Sequence, residues 1–71
     1  MSVILRKHTT ANYYIYLELT RRYDREIYTV AVCQCYSNGC GYPIRTMTYP
    51  ANEEKKAIAT YKRYIKKYME V

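Results

Sequence analysis

The sequence has no tryptophan and no phenylalanine, only two glycines and two prolines, a single histidine, and six acids against twelve bases. Each shortage excludes something. So little glycine and proline argues against a disordered or low-complexity chain and leaves no glycine-rich loop to cradle a nucleotide phosphate. One histidine, His8, and a few scattered carboxylates form no pair placed for acid–base work, because Glu53 and Glu54 stand where a helix start favours negative charge. No apolar run approaches the ~20 residues that cross a bilayer. Val3-Ile4-Leu5, followed by Arg6 and Lys7, is too brief for the core of a secretion signal. The reading is a cytoplasmic, non-catalytic protein without a cofactor and without membrane contact.

What is present is tyrosine and positive charge. Eleven tyrosines supply all the aromatic content, and the net charge is +6 over 71 residues. A chain of this length is one domain that buries roughly 60% of its unfolded surface. A tyrosine ring enters a core only if its hydroxyl reaches water or a partner, so many of the eleven belong at the core's boundary or outside it. The charge favours polyanionic partners such as nucleic acid or an acidic protein, and it also serves solubility.

The chain divides by its patterns. Residues 1–11 form a basic arm or a short edge strand. Residues 12–20 alternate, with Tyr13, Ile15, Leu17 and Leu19 on one face and Tyr14, Tyr16, Glu18 and Thr20 on the other, which predicts a half-buried strand. Residues 21–25 read as a polar hairpin loop. Residues 26–37 are rich in β-branched and aromatic types, and 40–49 follow after Asn38-Gly39, a pair preferred in two-residue type I′ turns. That turn pairs Ser37 with Cys40, Val32 with Arg45, Val30 with Met47 and Tyr28 with Tyr49. The first hairpin pairs Leu19 with Tyr28, Leu17 with Val30 and Ile15 with Val32. Both registers place Ile15, Leu17, Leu19, Tyr28, Val30, Val32, Met47 and Tyr49 on one face. Residues 52–69 read as a helix with Asn52 as N-cap. Its apolar positions Ala57, Ile58, Tyr61, Tyr64, Ile65, Tyr68 and Met69 form a stripe that closes over the sheet. The expected fold is α+β: a two-layer, three-stranded antiparallel meander with one C-terminal helix, β-β-β-α, in a single domain.

Two surfaces remain. The second sheet face carries Tyr14, Tyr16, Glu18, Thr29, Ala31, Cys33, Cys35, Tyr42, Ile44, Thr46 and Thr48. Tyrosines there suit base stacking, and threonines suit phosphate or base-edge contact. The candidate nucleic-acid-binding residues are therefore Tyr14, Tyr16, Tyr42, Thr46 and Thr48, with Arg21, Arg22 and Arg25 at the rim. The competing readings are an ordinary solvated face and a face covered by a partner, including a second copy of the chain. A secondary basic face lies on the helix side opposite its apolar stripe: Lys55, Lys56, Lys62, Arg63, Lys66 and Lys67, with no acid between Lys55 and Lys67. It is either a solvated face or a polyanion footprint.

Cys33, Cys35 and Cys40 lack a local fourth ligand for zinc, and His8 is remote, so no metal site is assigned. They read as reduced thiols, a Cys35–Cys40 disulfide being disfavoured in a reducing compartment.

The run Thr48-Tyr49-Pro50-Ala51-Asn52-Glu53-Glu54-Lys55-Lys56-Ala57, with Tyr61 after it, resembles the strand–helix junction of AP2-type domains and of the amino-terminal arm-binding domains of tyrosine integrases. The resemblance implies three strands, a C-terminal helix and DNA read by the sheet in the major groove. Where those families carry Arg and Trp on the DNA-facing strands, this chain has Tyr14, Tyr16, Thr46 and Thr48. The combined expectation is a nucleic-acid-binding module. The alternative is a protein-interaction or homodimerisation module that buries the same face.

Overall fold

A computed structural model describes residues 1–36 and 38–69, apart from the side chains of residues 40 and 69. The chain is α+β: a four-stranded antiparallel sheet in the order β1-β2-β3-β4 followed by one helix. The strands are β1 (Ser2–Thr9), β2 (Tyr13–Arg22), β3 (Arg25–Tyr36) and β4 (Gly39–Pro50); a short 3-10 turn (Ala51–Glu53) leads into α1 (Glu54–Met69). No helix among the described residues is long and apolar enough to cross a membrane.

The expected count of three strands is corrected to four. The N-terminal segment does not lie as an arm over the sheet; it pairs along β2 from Ser2↔Thr20 to Thr9↔Tyr14 and becomes an edge. Its register shifts between Ile4 and Arg6, so Leu5 is an extra residue in the ladder. That bulge puts Val3 and Arg6 on one face and Ile4 and Lys7 on the other, and it hides the period of two from the sequence.

The central register is as the residues predict. Leu19↔Tyr28, Leu17↔Val30 and Ile15↔Val32 join β2 to β3, and Tyr28↔Tyr49, Val30↔Met47 and Val32↔Arg45 join β3 to β4. Ile15, Leu17, Val30 and Val32 are fully buried beneath α1 with Ala57, Tyr61 and Tyr64. Truncating Ile15 or Leu17 to alanine costs about 2–5 kcal/mol, a large part of the stability of so small a domain. Met47 departs from the expected core. It sits on edge strand β4 and is 42% exposed.

The helix packs as its stripe requires, with Ile58, Ile65 and Tyr68 half-buried at the flanks. Thr60 joins the buried set although it is polar, because its hydroxyl meets that of Tyr49. Asn52 is not the helix cap: it lies inside the 3-10 turn, whose N-cap position is Pro50, and no side chain caps it.

The first hairpin is tighter than the sequence suggests, and the second is shifted by one residue. β2 and β3 run to Arg22↔Arg25, leaving only Tyr23-Asp24 as the loop, with Tyr23 at φ 56. In the second hairpin Tyr36 faces Gly39 and Cys35 faces Cys40. The expected partner of Cys40, Ser37, lies outside the described residues. Because Gly39 already pairs within the ladder, Asn38-Gly39 is not the two-residue loop that the sequence predicts; Gly39 takes a glycine-favouring φ of 126 there. Two register shifts between Val32 and Cys35 then restore the pairing of the central rows. Cys35 is disulfide-bonded, whereas Cys33 is free and buried. The reading of reduced thiols is thus corrected at Cys35. The predicted register had set Cys35 opposite Tyr42, and the shifted one sets it opposite Cys40.

Candidate nucleic-acid interface

The uncovered sheet face is built in rows. Reading across β1 to β4, the rows are Thr9–Tyr14–Cys33–Pro43, Lys7–Tyr16–Ala31–Thr46, Ile4–Glu18–Thr29–Thr48 and Ser2–Thr20–Ile27–Pro50. Each row exists because opposed residues of an antiparallel ladder share a face. No helix packs on this side, yet Ala31 and Cys33 are buried. Each of these small residues shares its row with a tyrosine of β2, Tyr16 beside Ala31 and Tyr14 beside Cys33.

Tyr14 and Tyr16 stand side by side on β2. Their ring centroids are 5.5 Å apart with planes tilted by 34°. Both are half-buried, so part of each ring is open to solvent. Burial raises the Tyr16 phenol above its ordinary range, and the neighbouring Cys33, Glu18 and Tyr14 push it further in the same direction. Tyr16 is therefore a neutral hydroxyl at physiological pH, able to donate and accept. Beside Tyr14 opens a depression of about 220 Å³ lined by Ile4, Leu5, Arg6 and Lys7. Lys7 shares its row with Tyr16 and brings a cation to the tyrosine pair. The sequence pattern did not place Lys7 there, because the bulge at Leu5 disguised β1.

The other expected site residues separate into those the fold brings together and those it does not. Thr46 and Thr48 lie exposed on the same face, in the rows of Tyr16 and Glu18. Tyr42 is 86% exposed but stands in the irregular stretch of β4 without a ladder partner, so it is not part of these rows. Arg22 and Arg25 continue the uncovered face by strand parity, six positions beyond Tyr16 on β2, roughly 20 Å away at about 3.4 Å per residue. Arg21 falls on the helix side of the sheet and pairs with Glu26 at 3.1 Å. It is therefore removed from the rim set. Glu18 lies between the tyrosines and the arginines and accepts a hydrogen bond from Thr20 at 3.4 Å.

A larger depression, about 590 Å³, opens at the far end of the sheet by the β2–β3 turn, and its lining includes Asp24, Arg25, Glu26, Thr48 and Asn52. Two of the chain's few acids make it a poor polyanion site. His8 falls on the helix side of β1 and Cys33 on the uncovered face, so they do not converge. Among the described residues no three His, Cys, Asp or Glu side chains gather as metal ligands.

The secondary basic face is intact as a surface. Lys55, Lys56, Lys62, Arg63, Lys66 and Lys67 are all exposed on α1, on the opposite side of the molecule from the tyrosine rows. Lys56 pairs with Glu53 at 3.3 Å. Arg63 and Lys67 lie over the rings of Tyr64 and Tyr68 at 6.0 and 5.7 Å.

Comparison with known protein families, curated proteins and solved structures finds no match.

Proposed function

We propose that this chain is a non-catalytic module that binds single-stranded nucleic acid on its uncovered sheet face. The observation that carries the reading is the Tyr14–Tyr16 pair, two adjacent, partly open rings on a sheet face no helix covers, with Lys7 in the same row. Every base has a π-face, so a tyrosine pair on a sheet is a sequence-tolerant platform worth about 1–3 kcal/mol per stacked base. Lys7 supplies local attraction to the backbone, and Thr46 and Thr48 supply hydroxyls. Arg22 and Arg25 lie where a strand running along β2 would exit.

The resemblance to AP2-type and integrase arm-binding domains implies duplex recognition by the sheet instead. Glu18 in the middle of the face argues against that mode. It would sit in a groove flanked by two phosphate backbones, where an unpaired carboxylate is repelled. A single strand can pass it with its phosphates turned outward.

A second reading rests on Ile4 and Ile27, which are 42% and 37% exposed and lie in the rows of the same face. A second copy of the chain packed on this face would cover them. Titration of a labelled oligothymidylate, with light scattering on the free protein, separates the two. The nucleic-acid reading expects a monomer that binds, and the interface reading expects a dimer that does not.

A further inference from the structure

We infer that the outer surface of α1 is a separate, sequence-independent binding surface for duplex nucleic acid, seated in a groove between two phosphate backbones. This inference stands apart from the sheet-face reading and uses none of its residues.

The argument begins with spacing. At 100° per residue, Lys55, Lys62 and Lys66 fall in one narrow row along α1, and Lys56, Arg63 and Lys67 in a second. Each row repeats the same steps of seven and four residues. The rows are centred about 100° apart and each spans roughly 16 Å of helix axis at about 1.5 Å per residue. The midline between them is held by Ala59, which is exposed. The helix thus presents a smooth, small-residue crest with a line of cations on each shoulder.

A solvated helix interleaves acids with its bases. Here no acid occurs between Lys55 and Lys67, and only Lys56 of the six has an ion pair among the described residues. Like charges at these spacings repel and destabilise a helix, so the arrangement suits an anionic partner better than bare water.

The geometry selects which anion. A helix with its side chains is about 10–12 Å across, and the major groove of a duplex is about 12 Å wide with a phosphate backbone on each wall. Two cation rows on opposite shoulders match two walls. Ala59 on the crest permits close approach and carries no group that reads a base, so binding is expected to be independent of sequence. Arg63 and Lys67 lie over Tyr64 and Tyr68, which restrains their row. An anionic membrane is the less suitable partner. The apolar stripe of α1 is committed to the core and is not free to insert, and a flat surface gives no role to two separated rows.

The test is fluorescence anisotropy with duplexes of about 20 base pairs and two unrelated sequences, over about 50 to 200 mM salt. Two triple variants are compared with the native chain: Lys55→Gln/Lys62→Gln/Lys66→Gln and Lys56→Gln/Arg63→Gln/Lys67→Gln. All six side chains are exposed, so the helical circular dichroism is expected to persist; the single variants Lys62→Gln and Arg63→Gln repeat the test with minimal change. Each triple is expected to weaken duplex binding at least tenfold and to lower the salt slope by about 2 to 3, with each single lowering it by about 1. Tyr14→Ala/Tyr16→Ala should leave duplex affinity unchanged. The inference is overturned if neither row matters, if only one row matters, or if the native chain binds phosphatidylserine vesicles while ignoring the duplex.

Discussion

The hydroxyls of Tyr49 on β4 and Thr60 on α1 lie 2.6 Å apart and share a hydrogen bond. Thr60 is 4% exposed, so this bond satisfies a polar group that the helix carries into the core beside Ala57 and Tyr61. Removing the Tyr49 hydroxyl leaves that of the buried Thr60 without this partner. Thr60→Val and Tyr49→Phe should each cost about 1–2 kcal/mol, and the double variant should cost clearly less than their sum. Urea unfolding of the four proteins measures this; strict additivity would show that the two hydroxyls do not support one another.

The two turns predict opposite responses to substitution. Tyr23 holds φ 56 at the β2–β3 turn and is 95% exposed, so its side chain gains little from packing while its backbone is unfavourable. Tyr23→Gly should raise stability by up to about 1 kcal/mol. Gly39 holds φ 126 with open space around the position of a side chain. Gly39→Ala should therefore lose about 1 kcal/mol or more through backbone strain alone. Thermal denaturation by circular dichroism reads both, and equal signs would contradict the turn conformations.

Alkaline pH should unfold the domain early. Burial raises the phenols of Tyr16, Tyr28 and Tyr61, assisted at Tyr16 by Cys33, Glu18 and Tyr14 and at Tyr28 by Glu54, and partly offset at Tyr61 by Arg6. In the unfolded chain these groups ionise near pH 10. The folded state holds their protons to higher pH, so it binds more protons than the unfolded state above that point. By linkage, stability is intact below about pH 10 and falls as pH rises through the folded values. Urea midpoints between about pH 9 and 11.5 should decline together with a delayed rise in tyrosinate absorbance; constant midpoints would remove these tyrosines from the buried set.

Glu18 is the one acid in the rows of the uncovered face among the described residues, paired with Thr29 across β2 and β3. If a single strand crosses this face, Glu18→Gln should tighten binding several-fold at low salt, and the gain should shrink as salt is added. An unchanged or weakened affinity would place the strand elsewhere.

Much of the fold is legible in the residues because β2 alternates cleanly, β3 is rich in β-branched and aromatic types, and the two turns set the register between them. Ile15, Leu17, Val30 and Val32 name the core before any coordinates do. β1 is only half legible, since residues 1–11 read equally as an arm or a short edge strand, and for a specific reason: the extra residue Leu5 turns Val3-Ile4-Leu5-Arg6-Lys7 into a run without period two, and with it Lys7 disappears from the candidate site. The Asn38-Gly39 signal gives the hairpin but not its loop. The turn closes one residue earlier in the ladder, and irregular pairing in β4 makes up the difference. Tyr42 leaves the expected rows for that reason. Arg21 was misplaced because residues 21–25 look like loop; once β2 extends to Arg22, parity sends Arg21 to the helix side, against Glu26. Tyr14 and Tyr16 were legible because they depend only on alternation within one strand.

The central claim is that Tyr14 and Tyr16 form a stacking platform. The most direct measurement is the affinity of the native chain and of Tyr14→Ala, Tyr16→Ala and the double variant for a labelled oligothymidylate at about 50 mM salt. The account predicts measurable binding by the native chain and a loss of about 1–3 kcal/mol for each tyrosine removed, with little change in salt slope because no phosphate contact is deleted. No binding by the native chain, or binding indifferent to both tyrosines, would contradict it.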